Sequence, residues 1–281
     1  MSRPGISIII PTYNAGHSLP ALLDSIQEQT FADKEVIIID NESIDGTHHY
    51  VREHGFQLVV RKAGRIAARE IGVELAAGKY VLLLDSDQIL VPDALTRLFE
   101  FSEREDSDAL VVEELAMGEG AWFELLRLED LVQFRLGLGL PRWFRRSSVS
   151  DFRLTTLLGK DHIHGEDRVL KTWLLARQSR IREVAGPLIY HRDAELVEYF
   201  QKQFRYAASG TGGVRLKRFA FATMPTLASL LSFRKVLRVS GSLSSTLSYY
   251  LFLFLKSASV IGGILSTRLY RVRSSPERIQ A

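Results

Sequence analysis

The chain has 281 residues, with 36 Lys and Arg against 33 Asp and Glu, a formal net charge of +3 and no cysteine. That length allows one catalytic domain with a modest extension and a large buried core. The lack of cysteine excludes disulfide and thiolate chemistry and fits a reducing compartment. In chain order, the run Ile6-Ser7-Ile8-Ile9-Ile10 reads as a strand ended by Pro11, and Ser18 is placed to cap a helix from Leu19 to about Gln29. Glu35 to Ile39 reads as a second strand ending in Asp40. Asp45 then opens a helix reaching about Glu53, and Leu58-Val59-Val60 makes a short third strand. From Arg65 to Ala77 a helix places Ile71 and Leu75 one turn apart, with Gly78 in the position of a helix stop. Tyr80 to Leu84 is a continuous apolar run, the pattern of a strand buried on both faces, and Asp85-Ser86-Asp87 follows at once. Strand and helix in alternation imply right-handed crossovers and an α/β fold with a mainly parallel sheet flanked by helices.

In such a sheet ligands bind outside the carboxyl ends of the strands. Asp40 and the Asp85/Asp87 pair are delivered to that same edge, where alternate carboxylates suit a hard divalent cation carrying phosphate oxygens. The competing reading of Asp85-Ser86-Asp87 is a solvated turn that merely stops a strand. Two strands converging on one acidic edge argue against it.

These segments resemble family 2 glycosyltransferases, the large inverting group with the GT-A (Rossmann-like) fold. Ile8-Ile9-Ile10-Pro11-Thr12-Tyr13-Asn14 is similar to the family's opening strand. Asp40-Asn41-Glu42-Ser43-Ile44-Asp45-Gly46-Thr47 resembles the second-strand motif, with Asn41-Glu42 replacing the commoner Asp-Gly. Gly64-Arg65, Ala68-Arg69 and Ala76-Ala77-Gly78-Lys79-Tyr80 resemble the approach to the metal strand, Asp85-Ser86-Asp87 the DXD motif, and Gly165-Glu166-Asp167 the pair that carries the catalytic base, here preceded by an unfamiliar His162-Ile163-His164. The likeness covers roughly residues 5 to 205.

The resemblance implies a nucleotide-sugar donor, a UDP-sugar ahead of a GDP- or dTDP-sugar, and Mg2+ or Mn2+ as cofactor. It places Pro11, Thr12, Tyr13, Asp40, Arg65, Asp85 and Ser86 in the nucleotide pocket, with Asp40 accepting from the base ring and Asp85 holding the ribose or a metal-bound water. It makes Asp87 the direct metal ligand, with Asp85 and His191 as further members of the metal set, and gives the catalytic role to Asp167 beside Glu166. Each has a plainer reading. Asp45 suits a helix N-cap better than a ligand. Glu166 and Asp167 also suit the first turn of a helix running to about Arg177. His191, after Leu188-Ile189-Tyr190, is a packing residue on the plain reading, and His162 and His164 are either acceptor contacts or a solvated loop. Trp122 and Phe123 open a core-facing segment to Arg135 that is also a candidate acceptor wall.

The last part of the chain differs in kind. Residues 202–273 hold twelve Lys and Arg and no Asp or Glu, which leaves residues 1–201 with 23 basic and 32 acidic side chains. Phe219 to Leu231 is uncharged, and Leu247 to Thr267 carries only Lys256. The latter stretch is long enough to span a hydrocarbon core. Lys256 near its middle costs about 2.5–3.5 kcal/mol on insertion scales, and Gly262-Gly263 weakens the helix. Basic flanks and apolar faces fit helices lying on an anionic leaflet, a monotopic rather than spanning attachment. The expected organisation is a catalytic domain over residues 1–217 and basic, apolar membrane-associated helices over 218–281. With no charged-then-apolar leader before Ile6, the expected location is the cytoplasmic face of the membrane. The expected activity is sugar transfer to a lipid-linked acceptor, either a glycan or a polyprenyl phosphate. The alternatives are a sugar-nucleotide nucleotidyltransferase, which lacks its Gly-rich, Arg-containing loop after the first strand, and a nucleic-acid binder using the tail. No nucleic-acid partner is expected, because the tail's aromatics sit among Leu, Val and Ile rather than forming a stacking platform.

Overall fold

Strand β1 (Ile6–Thr12) has no exposed residue and occupies the middle of an eight-stranded sheet. In this computed structural model residues 4–151, 153, 166–192, 195–209 and 232–273 are described. The other strands are β2 (Lys34–Asp40), β3 (Gln57–Val60), β4 (Tyr80–Leu83), β5 (Gln88–Leu90), β6 (Ala109–Met117), β7 (Pro141–Arg145) and β8 (Ile181–Arg192), in the spatial order β3-β2-β1-β4-β7-β6-β8-β5. The first four are parallel, with β1 between β2 and β4. Beyond β4 the pairings of β7 with β4 and β6, and of β5 with β8, are antiparallel. The change of direction falls between β4 and β7.

Helices α1 (Leu19–Gln27), α2 (Thr47–Glu53), α3 (Arg65–Leu75), α4 (Ala94–Glu105) and α6 (Glu166–Ala176) accompany this sheet. The two-residue period of a strand sorts the core into two faces. Ile6, Ile8 and Ile10 share one cluster with Leu19, Leu22 and Leu23 of α1 and Leu95 and Leu98 of α4. Ile9, Ile37, Val81 and Leu83 share the other with Ile66 of α3 and Leu170 and Leu174 of α6.

Three local expectations change. Pro11 lies inside β1 instead of ending it. Ile9 carbonyl already accepts the Leu84 amide, the register with β4 stops at Ile9–Leu83, and the missing N–H of Pro11 falls on that vacated side. Helix α3 ends at Leu75 with an extended Ala76, so Gly78 is not its stop. Gly78 is instead a close-approach residue: a Cβ there would lie 2.6 Å from the Ser7 backbone nitrogen. The Gly78 amide donates to Ser7 Oγ (2.8 Å), and Ser7 Oγ donates to Glu35 Oε1, which also accepts the Ala77 amide. Ser18 stands at the N-cap of α1, but its hydroxyl reaches back to the Ala15 carbonyl and makes no side-chain cap bond.

The chain divides into two compact units, residues 1–115 with 139–192 and residues 116–138 with 193–281. The second unit contains α5 (Ala121–Arg135), α7 (Leu196–Ser209), α8 (Phe233–Ser240) and α9 (Leu243–Arg273). The expected boundary at 217/218 lies outside the described residues. Phe123, Leu126, Val132, Tyr199, Val236, Tyr249, Phe252 and Leu253 form this unit's core. Trp122 stands edge-on to Tyr199 with ring centroids 5.3 Å apart. Lys256 lies inside this unit, bonded to Glu129 Oε1 at 2.5 Å, while Tyr199 Oη donates to Glu129 Oε2 at 3.3 Å. Burial opposes the charge on Lys256, and Glu129 outweighs it and keeps the ammonium protonated. Among the described residues no helix is long and apolar enough to cross a membrane.

Gly78→Ala is predicted to destabilise the first unit by about 1–3 kcal/mol, because backbone atoms must yield to the new methyl. Urea unfolding reads this directly, and an unchanged midpoint would remove the close-approach role.

Candidate active site

The carboxyl ends of β1, β2 and β4 carry the predicted residues to one edge of the sheet. β1 ends in Pro11 and Thr12, β2 in Asp40, and β4 leads through Leu84 into Asp85, Ser86 and Asp87. Helix α3 begins at Arg65 after an extended Gly64, and Arg65 is close enough to add to the positive field on Asp85.

Asp85 is the electrostatic centre. Its Oδ1 accepts from Arg69 Nη2 at 2.9 Å and its Oδ2 from Arg142 Nη1 at 3.1 Å. Arg69 is 2% exposed, so it is a nearly dry counterion. Arg142 is itself fixed by Glu114, through Nε to Oε1 at 2.8 Å. Gln88 closes the ring of contacts, donating to Glu114 Oε2 and accepting the Asp85 amide, each at 2.8 Å. Burial alone would push the Asp85 carboxyl up. Arg69 and Arg142, with Arg65 behind them, outweigh it and hold the carboxyl well below the usual carboxylate range.

Asp40 has no exposed surface and accepts four hydrogen bonds. Thr12 Oγ1 (2.8 Å) and Ser43 Oγ (2.6 Å) donate to its Oδ2, and the Ser43 amide (2.8 Å) and His48 Nε2 (2.5 Å) meet its Oδ1. A carboxylate offers about four acceptor sites, so all are engaged within the protein. Burial raises its pKa and these bonds more than reverse the shift. These bonds hold the Asp40 carboxylate in a fixed orientation at the carboxyl end of β2. Ser43 Oγ passes the constraint on by accepting the Asn14 amide at 2.8 Å, and Asn14 Oδ1 accepts the Ile44 amide at 3.0 Å. Asn41 Oδ1 accepts the Ala63 amide at 2.9 Å, tying β2 to the loop before α3. Tyr13 stands out from this frame, 62% exposed.

Asp45 holds the start of α2 from one residue before the cap. Its Oδ1 accepts from Thr47 N and Oγ1, its Oδ2 accepts the Gly16 amide, and Gly46 takes the cap in a left-handed conformation. Its capping reading therefore holds, displaced by one position.

Asp87 and Ser86 are half-buried in the turn after β4. The Asp87 carbonyl accepts the Arg192 amide, and Gln88 lies directly opposite His191 in the β5–β8 ladder, so the strand exit and the end of β8 are adjacent. Among the described residues no three His, Asp or Glu side chains gather as a protein-only metal cage. The chemistry of the donors fits a cation whose shell is completed by a ligand, since Mg2+ commonly takes one or two carboxylates plus phosphate and water oxygens. Asp87 suits that role better than Asp85, whose two oxygens already face guanidiniums. Glu166 and Asp167 begin α6, but their side chains, with His162, His164 and Gly165, lie outside the described residues.

Arg142, Glu114, Gln88 and His48 are site residues that sequence reasoning missed. They meet Asp85 or Asp40 across long separations or within mixed polar stretches, and no periodicity marks them. Arg69, by contrast, stands in the Ala68-Arg69 pair already singled out by the resemblance.

With this geometry in place, comparison with known proteins is informative. Residues 7–138 match the model of Glycosyl transferase family 2. A PGL/p-HBAD biosynthesis glycosyltransferase of Mycobacterium tuberculosis is 38% identical over 117 residues, 38% of this chain and 46% of that protein. The Escherichia coli protein named UDP-Glc:alpha-D-GlcNAc-diphosphoundecaprenol beta-1,3-glucosyltransferase WfgD is 34% identical over 95 residues, 32% of this chain and 38% of that protein. The chain thus spans less than half the length of these curated relatives. The mannosyltransferase PcManGT from Pyrobaculum calidifontis, solved with GDP-Man and Mn2+, superposes with a TM-score of 0.57 at 18% identity, covering 96% of this chain and 89% of that one. S. aureus TarS 1-349 in complex with UDP gives 0.55 at 17% identity, covering 96% and 92%. These likenesses establish the GT-A architecture of the fold.

Asp85→Asn is predicted to cost about 2–3 kcal/mol at pH 7, the lower end for breaking a buried pair because the carboxylate is partly exposed. A carboxyl whose folded pKa is depressed stabilises the fold above its unfolded value near about 3.9, and that stabilisation is lost as pH falls through the folded value. The gap between wild type and Asp85→Asn in urea unfolding should therefore shrink below about pH 4. A gap that is the same at pH 7 and in strong acid would contradict the two-arginine clamp.

Proposed function

We propose that this chain, whose residues 7–138 match the model of Glycosyl transferase family 2, transfers a sugar from a nucleoside-diphosphate sugar to a lipid-linked acceptor. One observation carries the reading: Asp85 and Asp87 follow the buried strand β4 at the carboxyl edge of the parallel strands, with Asp85 locked between Arg69 and Arg142. A rigid, charge-compensated carboxylate beside a second one suits donor binding. Asp85 is positioned to hold ribose hydroxyls. Asp87 is the residue to hold Mg2+ or Mn2+, and the cation supplies neutralisation of the departing diphosphate.

The remaining roles follow from the same edge. Arg65 at the start of α3 brings positive charge to the diphosphate, Pro11 and Thr12 form the pocket floor, Ser86 lines the turn, and the exposed Tyr13 ring offers a stacking surface for the base. A UDP-sugar is the donor we favour, supported by the name of WfgD and by the complexes of TarS with UDP and UDP-GlcNAc. The GDP-Man and Mn2+ complex of PcManGT keeps a GDP-sugar in view and supports metal use. The diphosphoundecaprenol acceptor in the name of WfgD supports a lipid-linked acceptor here. Asp167 takes the acceptor hydroxyl proton as the anomeric bond inverts, with Glu166 beside it. His191 is a further candidate metal ligand at the end of β8.

Thermal unfolding with UDP, GDP and dTDP, each with Mn2+, tests the donor class, since binding raises stability by mass action. UDP with Mn2+ should raise the Tm most, and Asp87→Asn should abolish the Mn2+-dependent part while its own Tm stays near wild type. No stabilisation by any of the three would overturn the proposal. Asp167→Asn should keep donor binding and lose about 10²-fold or more in transfer to a hydroxyl acceptor. Full transfer by that variant would identify a phosphate acceptor, already ionised and needing no base, or a different base.

A further inference from the structure

Helix α9 has two unlike faces. Thr246, Tyr249, Phe252 and Leu253 are buried, and Lys256 turns the same way to meet Glu129. Leu243, Leu247, Leu251, Phe254 and Leu255 point outward and are 59%, 59%, 61%, 67% and 47% exposed. At about 100° per residue these five fall within an arc of about 120°, a leucine-rich stripe about 18 Å long that also includes the exposed Ser244. A single exposed leucine needs no explanation, but a contiguous apolar stripe marks a contact surface.

The neighbouring helix α8 adds the second half of the pattern. Val236 is buried and anchors it, while Phe233, Arg234, Lys235 and Arg238 are exposed. The Phe233 ring stacks on Tyr250 of α9, centroids 5.9 Å apart and planes 12° from parallel, so α8 and α9 are joined at that end. No acidic residue occurs from 202 to 273. Exposed cations therefore stand on the helix joined to the apolar stripe, in a stretch from 202 to 273 that is purely basic, while the carboxylates that precede it in the same unit lie in residues 116–138 and 193–201.

We infer that the outward face of α9, with the cations of α8, is a docking surface for an anionic phospholipid bilayer. The leucines and Phe254 enter the boundary between headgroups and acyl chains, and Arg234, Lys235 and Arg238 meet lipid phosphates. Charge decides between occupants. A second copy meeting this face symmetrically through its own α8 would set cations against cations, whereas anionic headgroups supply opposite charge. The placement of Lys256 removes the objection that its charge raised: the ammonium belongs to the packed face, bonded to Glu129, and not to the face offered to lipid. The surface goes beyond the proposed transferase reaction and does not depend on donor or acceptor.

Flotation of the full chain with vesicles of phosphatidylcholine, alone or mixed with phosphatidylglycerol, tests the inference without any readout of sugar transfer. The wild type should float with the anionic vesicles, more weakly in high salt, leaving a salt-resistant remainder. Leu247→Ser with Leu251→Ser should lower partitioning by at least about tenfold at both salt levels. Arg234→Gln with Lys235→Gln should lower it by more than about tenfold at low salt and much less at high salt. All four positions are exposed, so melting curves should match wild type. Failure of the wild type to float with anionic vesicles, or flotation of the double serine variant like wild type, would overturn the inference. A lipid-free dimer in sedimentation that the serine substitutions dissolve would reassign the face to a second copy.

Discussion

A charged group at the exit of a buried strand is the constraint on which the first unit depends. β4 lies between β1 and β7, and its four residues are buried. Its chain emerges directly into Asp85, whose carboxylate sits against the 2%-exposed Arg69. Removing charges from water is costly unless each is paired with good geometry. The requirement is met by a chain of partners: Asp85 between two guanidiniums, Arg142 on Glu114, and Glu114 on Gln88, which returns to the Asp85 amide. The result joins α3, β4, β5, β6 and β7 at the carboxyl edge of the parallel strands. A carboxylate fixed in this way cannot swing, and a pre-organised group loses little freedom when a ligand arrives.

The loop after β2 obeys a similar rule with neutral partners. Asp40 is dry, and its four bonds fix Ser43, which in turn fixes Asn14. This tight loop carries Glu42 in a left-handed conformation, φ +59°. The family motif commonly has glycine there, and glycine has no steric penalty in that region. Glu42 therefore accepts a backbone strain that the local hydrogen bonds enforce, and it presents an exposed carboxylate at the rim of the edge. Asn41, the other departure, is engaged structurally through the Ala63 amide.

The second unit solves a different problem. Its aromatic core of Trp122, Tyr199, Phe200 and Phe252 lies against an ion pair, Glu129 with Lys256, and the Lys256 ammonium stands 5.7 Å and 5.8 Å from the Tyr199 and Phe252 ring centroids. Pairing allows α9 to turn Lys256, the only charged residue from 247 to 267, toward the packed side and leave an uncharged, leucine-rich face outside.

What could be read from the sequence was local and periodic. The strands ending at Asp40 and Asp85, helices from Leu19, Arg65 and Glu166, and the acidic edge were legible because central parallel strands are apolar without interruption and helices repeat every 3.6 residues. The short motif spacings that carry the family resemblance lie within the same segments. Tertiary structure decided what depends on distant partners. Pro11 stays in β1 because pairing with β4 has already ended, Gly78 is needed because Ser7 passes close by, and Asp40 is fixed in place because Thr12, Ser43 and His48 reach it. Arg142 meets Asp85 from 57 positions away, and Lys256 meets Glu129 from 127. Sequence periodicity specifies which face a residue takes on its own element; only the folded chain specifies what stands opposite, and at these sites the opposing charge determines the chemistry.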